Sequence, residues 1–546
     1  MDTEVPFLLT GSVDDAGDAP LAGVSDFRGR PVYRTSSGGW RSALFVTVLE
    51  IASNFASFGL SANLITYLTG PLGHSTAAAA AAVNAWTGTA TLMPLLGAFV
   101  ADSWLGRYRS IIVACTLYVL GYGMITLVSS LPELPSSSLD DGDLSPRPSS
   151  MKIVLFYASI YLVAVAQGAD KPCGLAFAAD QFDPSHPKES ASRSSVFNWW
   201  YFSMAVGIAV AISVVSYVQE NVGWAIGFGS LCAMMLCAFV IFLAGTSTYR
   251  LYAPNSDAES PFVRLARGFA ALGRNSSFSF GRKSGPHPAD EDSTDKVLSE
   301  EARAVLRLLP IWATCLAYGV VYAQVTTLFN KQGRTLDRRI FGGLELPPAA
   351  LQTFGPASIL VFVPIYDRVL VPALRNTTGN PSGLTLLQRM GTGMVLSLAA
   401  VSVAALVEAQ RLETAREHGL VDDAGATVPM SWAWLVPQYV IMGVSNVFTL
   451  VGMQEFFYDQ MPSELRSLGL ALYFSVLGIS SFISGALISL LDRVTASGGG
   501  DSWFADNLNR AHLDYFYWLL AGVSAAELAL YLYFVRSYVY IHKRLY

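Results

Sequence analysis

Twelve stretches of about twenty mostly apolar residues recur along this chain, each long enough to cross a bilayer. Their centres lie near Asn54, Met93, Leu117, Val163, Gly207, Leu236, Tyr318, Leu360, Leu398, Ser445, Gly478 and Ala526. In hydrocarbon the backbone must satisfy its own hydrogen bonds, so each stretch is expected to be a helix. The fold class is therefore an all-α membrane protein with twelve transmembrane helices, and the lipid bilayer is its first partner. Composition agrees: 14% of the 546 residues are charged, well below the roughly 25% of a soluble domain. Residues 1–39 are polar and Gly/Pro-rich and hold no apolar core of a signal peptide, so none is expected. Nothing in the chain points to a nucleic acid.

Topology follows from the basic residues. Arg264, Arg267, Arg274, Arg282, Lys283, Lys296 and Arg303 crowd one connection, and Arg107, Arg109, Arg368, Arg375 and the tail Arg536, Lys543, Arg544 fall on the same side. With twelve spans that side also holds both termini, and the positive-inside rule makes it cytoplasmic. The loop with Lys331, Arg334, Arg338 and Arg339 runs against the rule without changing the count. A polar stretch, Thr246 to Asp295, then separates two sets of six spans. The expected division is a cytoplasmic N-terminal tail (1–40), an N-terminal six-helix half (41–245), a cytoplasmic linker (246–303) and a C-terminal six-helix half with a short tail (304–546). Sequons at Asn275 and Asn376 fall on the cytoplasmic side and should stay unmodified. The five cysteines all lie in predicted spans, without metal-ligand spacing, and read as packing residues. With no nucleophile–base set and no metal cluster, neither an enzyme nor a cofactor is expected.

Two features point to a pathway. Glu50 lies in the first span, where a charge is costly and marks a functional candidate. Glu50, Ser53, Asn54, Ser57 and Ser61 share one helical face, either a wet path or a polar seam between helices. The halves also echo one another: Asp102 and Arg107 follow the second span, Asp367 and Arg368 the eighth. Repeated six-span halves outline a major-facilitator-type transporter, and these four residues would latch its cytoplasmic gate. Simple helix-end charges are the alternative.

The run Gly97-Ala-Phe-Val-Ala-Asp102-Ser-Trp-Leu-Gly106-Arg107-Tyr108 resembles the signature of the proton-dependent oligopeptide transporter family, and more closely its plant branch, the nitrate/peptide transporters. Further matching stretches are Lys171-Pro-Cys, Asp180-Gln-Phe-Asp183, Phe197-Asn-Trp-Trp-Tyr-Phe202, Tyr322-Ala-Gln-Val-Thr-Thr327 and Gln454-Glu-Phe-Phe-Tyr-Asp459, in order along the chain. The resemblance implies a symporter that takes up a small solute with protons. The family's substrates range over nitrate, peptides, hormones and glycosylated metabolites, so the fold does not name the solute.

This chain departs from the family pattern at three places. The first-helix motif Glu-x-x-Glu-Arg (or Lys) reads Glu50-Ile-Ala-Ser53-Asn54 here. Its second acid and its base are both gone, while the fourth-helix lysine survives as Lys171. One acid and one base keep the site neutral, which predicts that Glu50 and Lys171 pair directly or through water. The pair is either proton-coupling or a structural bridge. A nitrate-carrying branch has histidine where this chain has Tyr322, and peptide carriers have glutamate where it has Asn446. Neither replacement supplies a charge, so nitrate held by that histidine and peptide held by its ammonium are both disfavoured. Asn54, Tyr322, Gln324 and Asn446 are the expected substrate-binding residues. The favoured cargo is a small organic solute, a hormone or glycosylated metabolite, with nitrate second. Facilitation without proton coupling, or solute sensing, are the alternatives.

Near the start, Glu4 followed by Leu8-Leu9 fits an acidic dileucine sorting signal read by cytosolic adaptors. It favours the vacuolar membrane over the plasma membrane. Arg107-Tyr-Arg109-Ser110 fits a basic-directed phosphorylation pattern, with an ordinary helix-capping serine as the alternative.

Overall fold

The computed structural model describes residues 20–131, 149–183, 189, 204, 206–252, 261–277, 289–340, 343–378, 384–462, 465–497 and 501–538. Every predicted span centre falls in a helix. Nine helices among the described residues are long and apolar enough to cross a bilayer. They are α1 (Gly39–Thr69), α3 (Arg107–Ser130), α4 (Ser150–Asp180), α6 (Trp224–Thr248), α8 (Pro348–Asn376), α9 (Leu386–Glu417), α10 (Trp432–Asp459), α11 (Leu468–Ala496) and α12 (Leu513–Ser537). A bent pair, Asp295–Ala313 and Leu316–Arg334, forms α7 with a 45° change of direction. The Ala-rich helix α2 (Thr76–Val100) and the shorter α5 (Val206–Asn221) bring the number to twelve.

Small residues let these helices approach closely, as expected where lipid offers no hydrophobic drive to association. A Cβ placed on Gly97 of α2 would lie 1.8 Å from the Gly168 carbonyl oxygen of α4. Between the halves, a Cβ on Gly88 of α2 would lie 2.9 Å from the Gly478 carbonyl oxygen of α11. Neither position tolerates even alanine without movement.

The sequence echo between the halves has a backbone counterpart. Ala101–Leu105 and Tyr366–Leu370 each form a five-residue π-turn at the linker end of the bundle. The first is closed by Gly106 at φ 73°, a conformation that favours glycine.

The linker is more structured than its composition indicates. Pro261–Ser277 and the start of the helix Ala289–Ala313 pack together, and Arg264 grips Glu301 with two hydrogen bonds of 2.9 and 2.8 Å. Part of the expected N-terminal tail is also folded: β1 (Pro20–Ser25) pairs with β2 (Pro31–Tyr33) and with β3 (Leu251–Tyr252) of the linker. Beneath this sheet Arg250 is 1% exposed. It donates to the Ser37 and Gln181 carbonyls and pairs with Glu189 at 2.7 Å. Arg34 adds a bridge to Asp183 at 2.6 Å. The knot ties three segments that are distant in sequence.

Candidate functional site

Glu50, Asn54 and Lys171 meet where α1 crosses α4. Helix α4 is interrupted at residues 171–173, because Pro172 has no amide proton to continue the ladder. The helix restarts at Gly174, and Glu50, buried at 2% exposure, nests against that turn. A Cβ on Gly174 would come within 1.5 Å of Glu50 Oε1, so the carboxylate occupies the space a side chain would take.

Lys171 does not make the direct ion pair with Glu50 that charge counting predicts. Its ammonium donates to Asn54 Oδ1, and the Asn54 amide donates to the Glu50 carbonyl oxygen at 2.8 Å. The physical reason is position. Asn54 stands one turn beyond Glu50 on the same face, and an amide oxygen satisfies an ammonium without adding charge. The count of one acid and one base also omitted Asp170, adjacent to Lys171. Asp170 is 1% exposed and accepts a hydrogen bond from the Tyr118 hydroxyl of α3 at 3.2 Å. A carboxylate inside an apolar span was the available signal; attention to the neighbouring family lysine hid it.

In the C-terminal half, the Tyr318 hydroxyl donates to Asn446 Oδ1 at 2.6 Å and joins α7 to α10. Tyr322 lies half-buried one turn further along α7. Gln324 departs from its expected role in solute binding. It is fully buried; its amide donates to the Val320 carbonyl (2.8 Å) and to Ser484 Oγ (2.9 Å), and its oxygen accepts from Thr327. With both ends engaged it clasps α7 to α11. Sequence reading also passed over Glu527 of α12, which accepts from the Ala317 amide at 2.9 Å and so caps the second segment of the bent α7.

The hydrogen bonds that join the halves among the described residues lie toward the end away from the linker. Asn330 and Gln352 both donate to the Ala62 carbonyl, at 3.0 and 2.9 Å, and Lys331 donates to Thr69 at 3.1 Å. Asp506 accepts from the Thr76 amide at 2.8 Å, Asn84 donates to Ser484 at 3.0 Å, and the Ser213 and Thr353 hydroxyls stand 3.1 Å apart. This end is closed.

At the linker end, Arg107 pairs within its own half, with Asp180 at 2.5 Å. Arg368 is exposed. The side chains of Asp102 and Asp367 lie outside the described residues, and so do Glu4, Leu8 and Leu9. Ser110 is 2% exposed within α3, so its hydroxyl is not presented to a kinase in this conformation, contrary to the phosphorylation pattern.

The POT family profile matches residues 108–504. The chain belongs to the POT family. Protein NRT1/PTR FAMILY 5.10 of Arabidopsis thaliana is 51% identical over 97% of this chain and 98% of its own length. Protein NRT1/PTR FAMILY 5.13 of the same plant is 49% identical over 94% and 96%. Among solved structures, an auto-inhibited POT family peptide transporter superposes with a TM-score of 0.70 at 18% identity, covering 92% of this chain and 98% of that one. A POT family transporter in complex with 5-aminolevulinic acid gives 0.64 at 14% identity, covering 92% and 99%. At such identities the likeness speaks to fold alone, two six-helix halves of the major facilitator type. A POT family member is a multi-pass membrane transporter and not an enzyme.

Proposed function

We propose that this POT family member is a secondary transporter that moves a small organic solute by alternating access, coupled to protons through Glu50 and Lys171. One observation carries the reading. Glu50, with its buried carboxylate, and Lys171 meet at the break in α4, where the Asn54 amide accepts from the lysine and donates to the Glu50 backbone carbonyl. A change at that amide frees the lysine to move, which is what coupling of protonation to helix position requires. Closure of the halves at the end away from the linker, the end where the bonds between them lie among the described residues, supports alternating access.

The chemistry of the residues at the α7–α10 contact favours a neutral or weakly charged, hydroxyl-rich solute such as a hormone or glycosylated metabolite. Tyr318, Tyr322 and Asn446 offer hydrogen bonds and ring faces but no charge for a peptide ammonium. Nitrate is second, drawn by Lys171. One observation favours an uncoupled facilitator or a solute sensor instead, namely the neutral Asn54 in the place where the first-helix motif of the resemblance has a base. The proposed location is the vacuolar membrane, through adaptors reading Glu4, Leu8 and Leu9, with the linker end cytoplasmic. A solute panel in proteoliposomes, with and without a pH gradient, tests the reading. Gradient-driven accumulation of a hormone or glycoside is expected, and binding without flux would favour the sensor.

A further inference from the structure

We infer that an apolar crevice between the halves, at the end away from the linker, holds an acyl chain of an anionic phospholipid whose phosphate meets Arg339. The crevice encloses about 530 Å³, the size of a built ligand site. Val214 and Tyr217 of α5 line one wall. Phe354 and Ala357 of α8 and Trp432 of α10 line the other, with the Phe354 and Trp432 rings stacked at 5.9 Å.

The halves meet differently along α2 and α11 than along α5 and α8. Gly88 and Gly478 bring α2 and α11 so close that no Cβ fits between them. Between α5 and α8 the Ser213 and Thr353 hydroxyls stand 3.1 Å apart, and the crevice lies beside this bridge. The two hydroxyls satisfy each other, and Glu345 at the mouth is held by Arg338 at 2.8 Å. A polar solute would find few partners among such walls, so the occupant is apolar. The flanks indicate its source. Val206, Val210 and Val214 form an exposed stripe along α5, and Leu360 and Val361 are exposed on α8. In a membrane helix such faces meet acyl chains, and Val214 and Ala357 carry them into the crevice.

Charge at the mouth selects the headgroup. The short strands Arg339–Ile340 and Leu344–Glu345 pair antiparallel, with Arg339 opposite Glu345, which lines the crevice. Directly opposed residues share a face, so Arg339 stands at the mouth. Arg338 is occupied by Glu345 and by the Leu346 carbonyl. Arg339 is 79% exposed and approaches Asp337 only to 3.8 Å, which leaves its planar fork able to take a phosphate with two hydrogen bonds. The basic loop that runs against the positive-inside rule thereby acquires a partner, the anionic headgroups of the leaflet it faces.

This site does not depend on the coupling reading above. Fluorescence of the full-length protein in phosphatidylcholine vesicles tests it. The quencher is phosphatidylglycerol or phosphatidylcholine brominated on the acyl chain, at increasing mole fraction. The difference between wild type and Trp432→Phe isolates the Trp432 emission among the 11 tryptophans. That emission should be quenched at a several-fold lower mole fraction of brominated phosphatidylglycerol than of brominated phosphatidylcholine. Arg339→Gln changes an exposed side chain and should bring the two curves together. Ala357→Phe should fill the crevice and remove the preference without touching the charge. Equal quenching of Trp432 by the two lipids, quenching by neither, or a preference that survives either substitution overturns the inference.

Discussion

At the residue scale the site is built from substitutions that keep buried charge in check. Asn54 accepts from Lys171 at the position where the family motif has a base, and Glu50 fits only because residue 174 is glycine. Gly174→Ala should therefore push α1 from α4. Overpacking of this kind typically costs about 1–3 kcal/mol, so a lower melting temperature in detergent and slower solute exchange are expected. A fully stable Gly174→Ala would show that Glu50 does not occupy the turn. Glu50→Gln should keep solute exchange but lose accumulation against a gradient. The sequence was half legible here. Glu50 and Lys171 stood out because charges in apolar runs are conspicuous, but which partner Lys171 takes depends on side-chain geometry at a helix break, which no pattern encodes.

At the scale of elements, apolar length identified all twelve spans, yet not their interruptions. Pro172 marked the break in α4, whereas the bend in α7 depends on Glu527 arriving from α12 to bond the Ala317 amide. The linker sheet was equally hidden, since β1 and β3 pair directly although they lie more than two hundred residues apart, and Arg250 beside β3 reaches Ser37. Burial raises the Glu189 carboxyl, but the hydrogen bond and charge of Arg250, the Asp183 amide and Arg34 outweigh it, so Glu189 sits below its ordinary value. A depressed carboxyl lends stability above the ordinary glutamate range and loses it as pH falls through the depressed value. Acidification should thus loosen the knot, and Glu189→Gln should flatten that dependence when limited proteolysis of the linker is followed against pH. Glu189→Ala should cost on the order of 3 kcal/mol by stranding a buried arginine, read as faster linker cleavage at neutral pH.

At the scale of the whole molecule, the two halves are clasped at one end by Asn330 and Gln352 on Ala62, Lys331 on Thr69 and Asn84 on Ser484. Gln324, which the sequence placed among solute ligands, instead holds Ser484 within the C-terminal half. The family pattern marked the position but not its neighbours. A disulfide between cysteines introduced at Ala62 and Gln352 should hold that end shut, abolish transport and release it on reduction; undiminished transport in the oxidised protein would exclude the clasp as a moving gate. Changing Leu8 and Leu9 to alanine should move a fluorescent fusion from the vacuolar to the plasma membrane, and an unmoved fusion would remove the sorting signal.

The central claim is that a carboxylate–lysine site reduced to neutral neighbours still couples protons to solute. Uptake into wild-type proteoliposomes, with a hormone or glycoside found in the panel and an imposed pH gradient, measures it directly. The account predicts accumulation above the external concentration that collapses with a protonophore and is absent in Glu50→Gln. Uptake that only equilibrates, with or without the gradient, would contradict it.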